Sequence, residues 1–197
     1  MEKNNRNVPR EVEPFKDIKD IEKIKQYLKG KDNKRDYTIF VVGINVGLRA
    51  GDLLSLKWCD VLDGNKIKPS IYVVEEKTGK GKEIELNQAT KIALEAFKGT
   101  VDNAGMDDYI FVSRKGNKHL QVRSLHRIIN DVVKALKIKG NYGTHSLRKT
   151  FGYHRYMNNI SLETLQKLFN HSTQAMTLKY IGITKEVIQD AYNSINL

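Results

Sequence analysis

The chain has 197 residues, enough for one domain with short appendages, and 40% of them are hydrophobic, which argues against wholesale disorder. Lys and Arg number 34 against 23 Asp and Glu, so the net charge is +11 and the pI is near 9.6. A surface of that sign attracts polyanions, of which nucleic acid is the most common, although a merely basic enzyme could have the same balance.

The sequence also bears on where the protein works. The single cysteine, Cys59, cannot form an intramolecular disulfide and suits a reducing compartment. Residues 1–19 are charged throughout and lack the apolar stretch of a signal peptide. The longest apolar run, 39–48, is too short to cross a bilayer. We therefore predict a cytoplasmic protein without membrane contact.

The pattern of apolar residues predicts a mostly helical α+β domain. Residues 1–14 are polar and predict a flexible arm, and residues 15–197 predict a single domain. Helices are marked by apolar residues at helical spacing, with caps such as Asp17 before them and glycines such as Gly30 after them. They are predicted at about 18–30, 36–47, 50–57, 87–97, 124–136, 145–158, 162–169, 173–180 and 185–194.

Two short runs of strand formers, 70–75 and 82–86, predict one small antiparallel sheet. The residues between them, Lys77-Thr78-Gly79-Lys80-Gly81, have the composition of a hairpin turn. The apolar run 108–112 predicts either a strand or a buried connector, and Ser124 is predicted to cap the helix that follows.

Four polar residues in the last third of the chain have side chains suited to chemistry on a phosphodiester. Arg offers a planar fork of donors to phosphate oxygens, His can exchange a proton near neutrality, and a Tyr phenol can attack phosphorus. His145 and Arg148 lie three positions apart, so a helix would place them on one face. His171 and Tyr180 follow them. Each residue alone is more often structural, and the ordered set carries the prediction.

These residues and two earlier ones resemble the catalytic domain of the tyrosine recombinases, the phage-integrase family. The segment from Gly47 to Asp60, with an Arg after Gly-Leu, is similar to the family's first arginine box, except that Asp52 stands where the family usually has Glu. The segment Glu76-Lys77-Thr78-Gly79-Lys80 is similar to its lysine hairpin. The matching catalytic positions are Arg49, Lys77, His145, Arg148, His171 and Tyr180.

The resemblance implies a site-specific DNA recombinase that cuts and rejoins strands through a 3′-phosphotyrosyl intermediate, without a metal or other cofactor. Tyr180 would be the nucleophile, and Arg49 and Arg148 would stabilise charge on the nonbridging oxygens. His145 would act as acid or base, and His171 would bind the phosphate. Lys77 would protonate the leaving 5′ oxygen, with Lys80 and Lys82 as competitors at the same turn.

The resemblance also implies partners. Double-stranded DNA would lie on a basic face that includes residues 114–118, and four protomers would assemble on two DNA sites, with accessory DNA-bending proteins as possible helpers. The segment after Tyr180 would dock on a neighbour or fold back on its own core. Its apolar residues are Ile183, Val187, Ile188 and Ala191.

Three alternatives stay open from the sequence. No N-terminal DNA-clamping domain precedes the matched region, so the chain is similar either to the short recombinases that invert fimbrial promoters or to an excised catalytic fragment. A type IB topoisomerase would share the tyrosine chemistry. A DNA-binding regulator without catalysis would share the charge, but we would then expect decay among the six polar positions.

Overall fold

The computed structural model describes residues 11–101, 104–113, 116, 118–183, 189 and 193. These residues form helices together with two small β-ribbons. The helices are α1 Ile18–Gly30, α2 Lys34–Val46, α3 Ala50–Leu54, α4 Trp58–Val61, α5 Gln88–Lys98, α6 Val122–Ala135, α7 Thr144–Met157, α8 Leu162–Phe169 and α9 Gln174–Ile181. The strands are β1 Leu62–Asp63, β2 Lys66–Ile67, β3 Ser70–Val74 and β4 Gly81–Glu85.

The first helix pair confirms the prediction made from capping residues and spacing. The Asp17 side chain accepts a hydrogen bond from the backbone N–H of Lys19 at the start of α1, whose Ile and Leu face is buried. Asn33 caps α2 in the same way. Helix α2 ends at Gly47, which has a φ of 65°, a left-handed conformation that glycine adopts without a Cβ penalty.

The prediction of a helix over 50–57 is wrong for residues 55–57. The chain leaves helical geometry after Leu54 and begins a separate helix, α4, at Trp58. In between, the carbonyl of Leu56 accepts a hydrogen bond from the N–H of Ile110, and Lys57 forms an isolated bridge with Tyr109. The extended pairing replaces helical bonds there, so a long-range contact breaks a locally favourable helix.

Two β-ribbons are present among the described residues instead of the one predicted sheet. Strands β3 and β4 pair in antiparallel register with Ile71 opposite Ile84 and Val74 opposite Gly81. Strands β1 and β2 form a second ribbon, which was not predicted from the sequence, although Gly64, with φ of 57°, supplies its turn.

For the segment 108–112 we predicted either a strand or a buried connector, and the structure shows a buried connector. Ile110 and Phe111 are buried, and the segment makes only isolated bridges. Helix α6 begins at Val122 after Gln121, so the prediction that Ser124 caps it is wrong. The Ser124 N–H already bonds to the Gln121 carbonyl, which puts Ser124 within the first turn.

Buried side chains form a large and a small cluster. The large one is built mainly from α1, α2, α5 and α6, with α2 packed against both α5 and α7. The small one lies where α7, α8 and α9 meet. Its buried members are Phe151, Leu165, Phe169, Ile181 and Ile183.

The two ends of the chain concern the predicted flexible arm, 1–14, and the predicted last helix, 185–194. Residues 11–14, assigned to the flexible arm, contact the domain, since Pro14 is buried and the Glu13 N–H bonds to the Asn141 carbonyl. The predicted last helix, 185–194, falls almost wholly outside the described residues. None of the described helices is long and apolar enough to cross a membrane.

Candidate active site

Two predicted arginines, 99 positions apart in the chain, meet at the C-terminal end of α2. Arg49 immediately precedes α3, and Arg148 lies in α7 with its side chain only 4% exposed. Arg148 Nη1 donates to the carbonyl of Gly47, and Nη2 donates to the carbonyl of Phe169 at 3.1 Å. The guanidinium also lies 4.8 Å from the centroid of the Phe169 ring. Arg148 is therefore held rigidly between the Gly47 turn and the end of α8.

A buried carboxylate outside the predicted set of site residues joins these arginines. Glu75, with a side chain 2% exposed, forms ion pairs with Arg49, with Lys82 at 2.8 Å and with Arg148 at 3.7 Å. Burial would raise the pKa of Glu75, but the interactions with Lys82 and Arg49 lower it to about 2. Glu75 is thus ionised at neutral pH. It continues the alternation that buries Ile71 and Val73 on β3, and this period of two is the local signal that distinguishes it from the exposed Glu76.

Arg49 forms an ion pair with Glu75 through its Nη1 atom. Its side chain is 24% exposed, whereas that of Arg148 is 4% exposed. A guanidinium has five N–H donors, so one carboxylate does not occupy all of them. The exposed part of the Arg49 guanidinium can therefore donate to an additional anion.

Asp52, which stands where the resemblance led us to expect Glu, links this cluster to the hairpin. Asp52 is buried, and its Oδ1 atom accepts a hydrogen bond from the Glu76 N–H at 3.0 Å. The short side chain therefore braces the turn that carries Lys77 against the helix that follows Arg49.

The three hairpin lysines have different surroundings. Lys82 pairs with Glu75 inside the cluster, and burial lowers its pKa. Lys80 Nζ donates to Asn170 Oδ1 at 3.1 Å. Lys77 is exposed at the turn, and its charge is among those that lower the pKa of His145. All three therefore lie around the site, and Lys80 and Lys82 have partners within the domain.

Tyr180 lies next to Arg148 near the end of α9. Its ring contacts His171 and Phe169 edge to face, with centroid distances of 5.1 and 5.4 Å. Burial raises the pKa of Tyr180, and the charge of Arg148 and a hydrogen bond with it act in the opposite direction. The phenol is therefore protonated at neutral pH and needs a base before it can attack.

Both predicted histidines lie close enough to Arg148 and Arg49 for these charges to lower their pKa values. His145 stands in the first turn of α7, where partial desolvation and the charges of Lys149 and Arg148 lower its pKa. His171 Nδ1 lies 3.1 Å from Thr177 Oγ1, and burial and the charge of Arg148 lower its pKa. Since both pKa values fall below the usual 6.5, both imidazoles are neutral at neutral pH and can accept a proton.

Three described residues that were not predicted to be in the site, His126, His154 and Tyr156, have other partners. His154 Nε2 lies 2.8 Å from the Phe15 carbonyl, and His126 bonds to Asn130. Tyr156 packs against the small core cluster, while Tyr192 lies outside the described residues. No group of three His, Cys, Asp or Glu side chains arranged for a metal ion occurs in the described ranges.

The fold that holds this cluster is that of the tyrosine recombinase catalytic domains. A crystal structure of XerA recombinase superposes with a TM-score of 0.75 at 21% identity, over 96% of this chain and 66% of that chain. A lambda integrase (75–356) dimer bound to a COC′ core site gives a TM-score of 0.67 at 22% identity, over 88% of this chain and 61% of that one.

The chain belongs to the phage integrase family, whose model matches residues 15–186. It is 36% identical over 181 residues to a probable integrase/recombinase, YoeC, of Bacillus subtilis, covering 92% of this chain and 95% of the relative. It is 27% identical to the tyrosine recombinase XerC of Caldanaerobacter subterraneus, covering 89% of this chain. The chain spans 49% of that relative, so it corresponds to about half of it.

Proposed function

We propose that the protein is a site-specific DNA recombinase that cleaves and rejoins strands through a 3′-phosphotyrosyl intermediate. One observation carries the proposal. The protonated phenol of Tyr180 lies beside buried Arg148, and partly exposed Arg49 is held in the same cluster by Glu75. A phosphodiester placed there would meet a nucleophile and two fixed cations.

The proposed roles follow from where charge develops. The Tyr180 oxygen attacks phosphorus, the bond from phosphorus to the 5′ oxygen breaks, and the phosphotyrosyl ester conserves the bond energy for rejoining. Arg49 and Arg148 stabilise the nonbridging oxygens, which carry more charge in the transition state. These two side chains do not need to move far, because Glu75 and backbone carbonyls already orient them.

The proton transfers are assigned to a neutral imidazole and to an exposed lysine. His145 accepts the Tyr180 proton, since its lowered pKa leaves the imidazole neutral. His171 donates a hydrogen bond to the phosphate through its second ring nitrogen. Lys77 protonates the departing 5′ oxygen, a role suited to an ammonium on an exposed turn. Lys80 and Lys82 already have partners within the domain, which favours Lys77.

The proposed partner is double-stranded DNA, as it is for the lambda integrase dimer whose fold this chain shares. The net charge of +11 supports it. We also propose assembly of four protomers on two DNA sites through the segment after Tyr180, with accessory DNA-bending proteins, and action in the cytoplasm, where the DNA would be met. The relatives YoeC and XerC are named integrase or recombinase, which favours recombination over a topoisomerase or a regulator.

The nucleophile is tested with a nicked suicide substrate that carries the DNA repeats of the protein's own genetic element. Wild type is expected to form a covalent protein–DNA adduct that survives a denaturing gel, without Mg²⁺, and Tyr180→Phe is expected to form none. Tyr156→Phe is the matched control, because Tyr156 packs against the same small cluster, and it should retain the adduct.

Three results would contradict the proposal. An adduct with Tyr180→Phe would mean that another residue attacks the DNA. DNA binding by wild type without any adduct would favour a regulator, and relaxation of plain supercoiled DNA without strand exchange would favour a topoisomerase.

A further inference from the structure

We infer that Lys149 and the segment Glu11-Val12-Glu13-Pro14-Phe15, here called the strap, form a device that positions the nucleophile, in which Glu11 holds the Lys149 ammonium over the ring of Tyr180. The inference rests on the proposed function, since it assigns a positioning residue for that reaction. Neither Lys149 nor Glu11 belongs to the six matched catalytic positions.

Lys149 is a buried cation beside the reacting groups. It follows Arg148 directly in α7 and lies one turn beyond His145. Its side chain is 4% exposed, and its Nζ atom lies 2.9 Å from Glu11 Oε1 and 5.2 Å from the centroid of the Tyr180 ring. An ammonium over an aromatic face is attracted by the ring, and more strongly where water is excluded. The contact therefore restrains both partners.

The strap is anchored to the elements that carry the reacting groups. Its Glu13 N–H bonds to the Asn141 carbonyl just before α7, and the Phe15 N–H bonds to Thr150 Oγ1 within α7. The Phe15 ring stacks on Tyr142 with centroids 4.3 Å apart.

Pro14 in the strap lies beside Gly182, where an added Cβ would approach to 3.5 Å. The strap thus spans α7, which carries His145, and the end of α9, which carries Tyr180.

The charge of Lys149 has a second consequence at His145. After desolvation, Lys149 makes the largest contribution to lowering the pKa of His145, ahead of Arg148, Arg49 and Lys77. The cation therefore helps to keep the imidazole neutral and able to accept the Tyr180 proton. The charge of Glu11 raises the pKa of Tyr180, which helps to keep the phenol protonated until the base acts. The ion pair with Glu11 holds Lys149 in place.

The test compares single-turnover rates of adduct formation for the full chain on the suicide substrate. Lys149→Met is expected to slow adduct formation about tenfold, the scale of a desolvated cation–π contact, with DNA affinity unchanged. Lys149→Arg should restore most of the rate, since it keeps the charge. Glu11→Gln should slow the reaction less, and adding it to Lys149→Met should cause no further loss.

The pH profile separates positioning from a structural role. In Lys149→Met the low-pH limb of the rate profile should move to higher pH, because His145 loses a neighbouring cation while Arg148, Arg49 and Lys77 remain. Lys149→Arg should leave the limb in place. Lys98→Met is the matched control, since Lys98 lies over the Trp58 ring at 5.6 Å on α5, and it should change neither rate nor profile.

Outcomes for the inference and for the proposed function are distinguishable. If wild type forms the adduct and Lys149→Met matches it in rate and profile, the inference is wrong and the recombinase proposal stands. If Lys149→Met fails to fold, Glu11→Gln decides, because Glu11 is exposed, and an unchanged rate in that variant rejects the device. If wild type forms no adduct, both proposals fail.

Discussion

Glu75 organises the cationic side of the site. Arg49, Lys82 and Arg148 would repel one another if they were left alone at these distances. A single ionised carboxylate with 2% exposure lies among them, which offsets this repulsion and lets Arg148 remain buried. The side chain also accepts a hydrogen bond from Thr78 at the hairpin turn. One residue thereby couples the arginine pair to the turn that carries Lys77.

Replacing Glu75 should destabilise the protein in a pH-dependent way. Glu75→Gln is expected to lower the free energy of unfolding at pH 7 by about 3–5 kcal/mol, because one buried and two partly exposed cations lose their counter-ion. The folded-state pKa of about 2 lies below the ordinary 4.5, so Glu75 contributes stability above pH 4.5 that is lost as the pH falls toward 2. This contribution is about 3 kcal/mol, and it should be missing from the variant.

Denaturant unfolding of both proteins between pH 2 and 7 measures this difference. Glu85→Gln on the exposed face of the same hairpin is the control and should follow wild type. Parallel stability curves for wild type and Glu75→Gln would show that Glu75 has no such role.

The turn after α2 is the element on which the arginine geometry depends. Gly47 ends the helix in a left-handed conformation, and its carbonyl accepts a hydrogen bond from Arg148. A Cβ at this position would lie 2.6 Å from the ring of Phe151, so glycine is required for both conformation and space. The Gly-Leu-Arg motif therefore has a structural reason in addition to its catalytic arginine.

Gly47→Ala is expected to lower the free energy of unfolding by about 2–4 kcal/mol, from backbone strain and overpacking. It should also slow adduct formation, because the carbonyl that holds Arg148 would shift. Thermal unfolding and the suicide-substrate assay measure the two effects. Gly30→Ala is the control, since nothing lies within 4 Å of its Cβ, and its unfolding free energy should stay within about 1 kcal/mol of wild type. A stable, active Gly47→Ala would refute this role of the turn.

Among the described residues, the side chains of the site rest on two hydrophobic clusters of unequal size. Arg49 and the hairpin rest on the large cluster, whereas His171 and Tyr180 rest on the small one between α7, α8 and α9. A small cluster buries less apolar surface, so it opens at a lower free energy than a large one. The nucleophile therefore belongs to the part of the domain that opens more easily, and Arg148 is tied to that part through its hydrogen bond to the Phe169 carbonyl.

Native-state hydrogen exchange tests this division. Amides of α8 and α9 should exchange through openings of lower free energy than those of α2 and α5. Leu165→Ala, at a fully buried position in the small cluster, should accelerate exchange in α8 and α9 selectively. Leu94→Ala in α5 is the matched control for the large cluster and should affect both regions together. Uniform protection throughout α2, α5, α8 and α9 would contradict the division.

Much of the fold follows from local patterns. The caps at Asp17 and Asn87, the helical spacing and the hairpin turn are properties of neighbouring residues, so most helix bounds are predictable. The predicted helix after Ala50 fails at Lys57 because its competitor, the bridge to Tyr109, lies 52 positions away. Local propensity contains no information about such a partner.

The same distinction applies to the site. Motif order is enough to nominate the six positions, because the chemistry of phosphoryl transfer needs those side chains wherever they lie. The ion pairs that orient them join residues far apart, such as Glu11 and Lys149 at 138 positions. A buried charge is stable only when folding brings its counter-ion within a few ångströms. For that reason the ion-pair partners of Glu75 and Lys149, and the packing of the strap, are known only from the tertiary structure.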